Sequence, residues 1–193
     1  MTILPLTPER WSDLEALFGG KGACAGCWCM YWRQRHSEFL KLKGSGNRRA
    51  FRRIVSTGEC PGVLAYAGKE PVGWCAIAPR ETYVRLEGSR VLAPVDEKPV
   101  WSIVCFFIAK SHRRKGVTQE LIRAATDFAR QRGARIVEGY PVEPKERRMP
   151  DLFAYTGLAS SFRKAGYKEV LRRSPTRPIM RRTLREARPS RSS

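Results

Sequence analysis

The segment VWSIVCFFIAKSHRRKGVTQELIRAATDFARQRG, residues 100–133, constrains this chain more than any other. Its first part, VWSIVCFFIAK, is β-branched and aromatic throughout, which suits a central strand covered on both faces. The next stretch crowds four basic residues, His112 to Lys115, against Gly116. Val117, Leu121, Ala124, Ala125 and Phe128 then recur on one face at helical spacing, and Gly133 supplies the stop. Arg123, Arg130 and Arg132 fall on the solvent side. A buried strand, a basic glycine turn and an amphipathic helix therefore stand in series.

That series has a chemistry. The first backbone N–H groups of a helix lack internal partners, the helix dipole places partial positive charge on them, and a glycine lets an anion approach the backbone. Arg113, Arg114 and Lys115 add charge-assisted contacts, and Thr118 adds a hydroxyl. A solvated basic cap, or an arm for nucleic acid, would use the same residues. The turn, however, comes directly after the most buried strand, where open sheets bind ligands. Its position favours a pyrophosphate cradle.

The rest of the chain supplies the layers. ILPLT alternates as a strand, and TPERWSDLEALFG reads as a helix with Thr7 as N-cap and Pro8 in the first turn. GGKGACAGCWCMYWRQRHSEF is an irregular loop, and NRRAFRRIVSTGE a basic helix closing near Gly58. GVLAYAG and VGWCAIAP form a hairpin, ARIVEGYPV another strand, GLASSFRKAG a short helix, and YKEVLRR with PIMRRTL a closing hairpin. The expected order is β-α-α-β-β-β-α-β-α-β-β, an α/β (α+β) domain over residues 1–185 with a mixed, mostly antiparallel sheet of about seven strands flanked by helices. Residues 186–193, EARPSRSS, read as a disordered basic tail.

With these elements in place, the chain resembles the GCN5-related N-acetyltransferase (GNAT) superfamily. The family's pyrophosphate motif, Arg or Gln, two residues, Gly, one residue, then Gly or Ala, is similar to Arg113-Arg114-Lys115-Gly116-Val117-Thr118, with Thr in the last place. SFRKAGYKEV is similar to the family's late helix-Gly-aromatic-strand ending. The resemblance implies acetyl transfer from acetyl-CoA to an amine by direct attack on the thioester. It places the pyrophosphate on the amides of 114–118 and the pantetheine between splayed strands at Val104–Ile108 and Arg135–Tyr140. It also implies a backbone N–H near Phe106 or Phe107, with Ile108 adjoining, to polarise the thioester carbonyl.

Direct attack needs a base and an acid. Family members often carry a tyrosine four residues before the glycine of SFRKAG, where this chain has Phe162. Tyr155, a packed loop aromatic or a substitute acid, is the candidate, with water as the other. Glu138, and Glu143 or Glu146 beyond it, are candidate bases, because WSIVCFFIAK holds no carboxylate. Cys105 inside that strand reads as a small core residue rather than an acetyl carrier.

Cys24-Ala-Gly-Cys27-Trp-Cys29 offers three thiols at short spacing, with His36 or Cys60 to complete a zinc tetrahedron, but a second CxxC pair is missing. Alternatively, the segment shapes an acceptor wall from Trp28, Tyr31 and Trp32, or those aromatics only pack. No metal is therefore assigned.

The balance of 37 Lys plus Arg against 18 Asp plus Glu keeps nucleic acid as the rival class. It would use the Arg and aromatic residues of 28–53 and the Arg-rich C-terminus, which has eight arginines and one glutamate from Arg172 onward. No common nucleic-acid motif accompanies the charge. No export signal is visible and no run reaches the roughly 18 apolar residues of a membrane span, so the expected location is cytoplasmic with reduced cysteines. Oligomeric state and the identity of the amine are not legible.

Overall fold

A computed structural model describes residues 1–144 and 154–184. Seven strands form one sheet, β1 (Thr2–Pro5), β2 (Gly62–Ala67), β3 (Glu70–Pro79), β4 (Trp101–Ile108), β5 (Ile136–Gly139), β6 (Lys168–Arg172) and β7 (Pro178–Thr183). Their spatial order is β1-β2-β3-β4-β5-β7-β6. Only β4 and β5 are parallel, and the other neighbours are antiparallel. The helices are α1 (Trp11–Phe18), α2 (His36–Lys41), α3 (Ser45–Ser56), α4 (Val84–Glu87), α5 (Val117–Gln131) and α6 (Ala159–Lys164). The expected order is present, with α2 and α4 as short additions that the sequence pattern does not signal. The expected tail at 186–193 lies outside the described residues.

Each face of the sheet carries its own core. On one, Trp11, Leu14 and Phe18 of α1 and Phe51 and Val55 of α3 meet Leu64, Trp74 and Val104. On the other, Val117, Leu121, Ala125 and Phe128 of α5 and Phe162 of α6 meet Ala65, Cys75, Ile77 and Ile103. The apolar stripe of α5 is thus buried, while Arg123, Arg130 and Arg132 are exposed as their spacing predicts. The expected Thr7 cap does not form. Pro8–Arg10 make a 3-10 turn ahead of α1, and the Thr7 hydroxyl instead accepts a hydrogen bond from Arg10 at 3.1 Å.

Two features open the middle of the sheet. β4 and β5 pair only over Trp101–Ile103 and Val137–Gly139. Pro141, which has no N–H to donate, comes soon after, while β4 runs on to Ile108. On the other side of β4, Ala76 pairs with Cys105 but Ile77 pairs with Ile103, so Val104 is an extra residue. Such a bulge bends its strand and re-aims the residues beyond it. The C-terminal half of β4 therefore diverges from β5. Gly139 sits at the fork, where a Cβ would lie 2.0 Å from the Phe162 ring, so only glycine lets α6 dock there.

Candidate active site

A cavity of about 870 Å³ occupies this fork. One end is the turn His112–Thr118, the middle is β4 from Cys105 to Ile108 facing Gly157, and the far end is the loop Ala23–Cys29 with Tyr31, Trp32, Phe39 and Tyr155. Leu158, Ser161 and Lys164 add a wall from α6.

At the first end, Gly116 caps α5 with φ +81° and no side chain satisfies the open amides. A Cβ on Gly116 would meet no protein atom within 4 Å, so the glycine faces open space. Its need is conformational, since the left-handed region costs other residues roughly 1–2 kcal/mol. Arg114 also has a positive φ, +61°. Arg113 turns its Nε to the Ile108 carbonyl at 3.2 Å and so ties the turn to the strand end. Arg113, Arg114, Gly116, Val117 and Thr118 all line the cavity, whereas Lys115 is exposed outside the lining.

In the middle, Phe106, Phe107 and Ile108 line the cavity as the resemblance implies. The Phe106 N–H, however, donates to the Tyr155 carbonyl at 2.6 Å. The amide expected to meet a thioester is thus already occupied, because the chain around Tyr155 lies along the strand edge that β5 leaves open.

The far end rests on a strained loop. Ala23, Ala25, Trp28 and Cys29 all have positive φ, a conformation L-residues adopt only when their surroundings impose it. The tethers are visible: the amide of Gly44 and the side-chain amide of buried Asn47 both donate to the Gly26 carbonyl, at 3.0 and 3.2 Å. Here the aromatics separate. Tyr31 and Trp32 line the cavity, but Trp28 does not; it is buried against Trp11 at 6.1 Å and Phe18 at 5.7 Å. Phe39 and Tyr155 join Tyr31 instead, with ring centroids 5.5 and 6.3 Å away.

The candidate bases are not brought to the cavity. Glu138 is fully buried in an ion cluster, accepting from Arg181 Nε at 2.5 Å and Tyr140 at 2.6 Å, with Arg80 at 3.6 Å. Its place on β5 explains the miss: it lies in the paired part of the sheet, in register with Ser102 of β4 and Arg181 of β7, rather than beyond the fork. Glu143 pairs with Arg163 and Arg172, whose hydrogen bonds hold its carboxyl below the usual range. Glu146 lies outside the described residues. Tyr155 does line the cavity, and burial raises its pKa, keeping the hydroxyl protonated.

The thiols do not assemble into a metal site. Among the described residues no group of three or more His, Cys, Asp or Glu could hold an ion. Cys24 is exposed, while Cys29 is buried, accepts from Trp74 Nε1 at 2.9 Å and lies 3.9 Å from Cys105. Burial, reinforced by Cys29, pushes the Cys27 thiol up to about 12. Neutral packed thiols are poor ligands and poor nucleophiles.

The sequence profile of the acetyltransferase (GNAT) family matches residues 24–153. The chain belongs to this family. Three GNAT-type folds among solved structures extend the likeness across the whole sheet. The PaiA N-acetyltransferase of Thermoplasma acidophilum, crystallised with coenzyme A, is 12% identical with a TM-score of 0.52 over 95% of this chain and 98% of its own. The ribosomal-protein-alanine N-acetyltransferase of Brucella melitensis is 14% identical, TM-score 0.52, over 95% and 100%. A GNAT-family acetyltransferase of Streptococcus agalactiae is 11% identical, TM-score 0.55, over 96% of each chain. No curated protein matches the sequence.

Family membership makes the protein an N-acetyltransferase, an acyltransferase. The rival nucleic-acid reading finds no support in the geometry. Trp28 and Trp32 are buried, and Arg48 pairs with Glu15. Arg172, Arg173, Arg181 and Arg182 bond to Glu143 and Glu169, to loop carbonyls, to Asp96 and Glu138, and to the Ala165 carbonyl. No helix among the described residues is long and apolar enough to cross a membrane.

Proposed function

We propose that this protein transfers the acetyl group of acetyl-CoA to a primary amine by direct attack on the thioester. The observation that carries the reading is the continuity of one cavity from the uncapped amides of α5 to the open edge of β4 and on to the aromatic end. The pyrophosphate would lie on the amides of 116–118 with Arg113 and Arg114 beside it. The pantetheine would run along β4. The thioester carbonyl would take the Phe106 N–H from the Tyr155 carbonyl, exchanging one acceptor for another at a donor already oriented for it.

This chain's groups then divide the proton work. No carboxylate among the described residues lines the cavity. The amine instead arrives neutral, favoured by the surrounding cations, which disfavour an ammonium, and water takes its proton after attack. Tyr155, held protonated, donates a hydrogen bond to the departing thiolate; its raised pKa makes it a better donor of a bond than of a proton.

The test is Gly116→Val. A β-branched side chain would be strained at φ +81° and would project into the space assigned to pyrophosphate, where no protein atom interferes. Acetyl-CoA binding by calorimetry should fall at least a hundredfold while the circular dichroism spectrum stays unchanged. Unaltered affinity would remove the cradle from the reading.

A further inference from the structure

The geometry points to an acceptor that carries a carboxylate as well as its amine, on an apolar body of aromatic size. This inference rests on the acetyl-CoA reading above and names the substrate class for the same cavity.

The aromatic end sets the body. Tyr31, Phe39 and Tyr155 meet edge to face, and Trp32 lies nearly parallel to Tyr155 at 6.4 Å. Flat apolar walls of this kind favour a ring or a comparable hydrocarbon surface.

Three cations stand at that end, one in the cavity lining and two behind lining residues. Lys43 lines the cavity. Arg85 lays its guanidinium 4.0 Å above the Tyr31 ring and 5.6 Å from Phe39. Arg177 reaches inward from the β6–β7 turn to the hydroxyl of fully buried Thr156 at 3.1 Å, and Thr156 lies between the cavity-lining Tyr155 and Gly157.

None of the three is in an ion pair among the described residues, in contrast to several other arginines. Arg33, Arg80 and Arg181, all largely withdrawn from water, each have a carboxylate partner. Arg177 is half-buried and has a single hydroxyl acceptor for its five donors. Burial lowers its pKa. A desolvated guanidinium beside an apolar cavity is relieved by an anion that enters with the ligand, and a carboxylate fits its fork in a bidentate way. Acceptors with additional ammonium groups, such as polyamines or lysine-rich peptides, would meet the opposite field.

The experiment compares matched pairs at saturating acetyl-CoA: L-phenylalanine with phenethylamine, and L-tryptophan with tryptamine. N-acetyl product is read by mass spectrometry and rates are compared on the neutral-amine fraction. We expect kcat/KM at least tenfold higher for the amino acid of each pair. Arg177→Gln should bring the ratio to within about twofold, and Arg177→Lys, which keeps the charge but loses the fork, should retain only part of it. Lys43→Gln, at the cavity mouth, should lower the ratio independently, which keeps the test open if the Arg177 variant fails to bind acetyl-CoA. Equal or faster acetylation of the decarboxylated amines would overturn the inference, as would a ratio that neither variant changes. Acetyl-CoA binding without acetylation of any of the four overturns the acceptor class alone, whereas loss of acetyl-CoA binding in the unaltered protein overturns the underlying reading too.

Discussion

Replacing Glu138 with glutamine separates two accounts of this residue. A base at the reaction centre and a buried structural anion respond in opposite ways. The structure places the carboxylate out of solvent between Arg181 at 2.5 Å and Arg80 at 3.6 Å, with Tyr140 donating at 2.6 Å. Removing one partner from a buried ion pair costs about 3–5 kcal/mol, because it leaves uncompensated charge behind. Glutamine preserves volume and one acceptor for Tyr140, and both arginines keep a second carboxylate, Asp96 for Arg181 and Glu87 for Arg80. The lower end, about 3 kcal/mol, therefore applies. In a chain of this size, each kcal/mol lowers Tm by roughly 2–4 °C, so Glu138→Gln should melt about 6–12 °C earlier by calorimetry. Acetyl transfer measured well below that temperature should stay within about threefold of the unaltered protein, whereas loss of a general base costs roughly 10²–10⁴ in rate. A hundredfold drop in kcat with an unchanged Tm would refute this reasoning and return Glu138 to catalysis.

Two further expectations use the titrating groups. Hydrogen bonding to Arg181 pulls the Asp96 carboxyl down to about 2. A depressed carboxyl adds stability above its unfolded pKa near 4 and loses it as pH falls toward its folded value, so Asp96→Asn should flatten denaturation curves between about pH 4 and 2; an unchanged acid limb would count against the Arg181 contact. Because the Cys27 thiol is pushed up to about 12, iodoacetamide at pH 8 should label it roughly a thousandfold more slowly than a free thiol, read by peptide mapping against exposed Cys24. Equal labelling of the two would show that the loop 22–29 does not bury it.

What the sequence determined by itself is local. The apolar run of β4, the glycine after His112–Lys115 and the stripe from Val117 to Phe128 act over a few residues, through burial period and backbone freedom. They therefore announced the strand, the turn and the helix, and with them the family and the place where the cradle is proposed. Even the splay has a local mark in Pro141, although the Val104 bulge that completes it shows only in the register with β3. Everything that depends on convergence waited for the tertiary structure. Trp28 and Tyr31 are three positions apart and read alike, yet one is core and the other cavity wall, because strained backbone at Trp28 and Cys29 turns them to different sides. Glu138 looked exposed to chemistry until pairing of β5 with β7 put Arg181 against it. Lys43, Arg85 and Arg177 carry no motif and lie far apart in the chain. The sheet order, which brings the β6–β7 turn to the end of β5, and the packing of α2 to α4 together gather their charge at the end where the acceptor is proposed to bind.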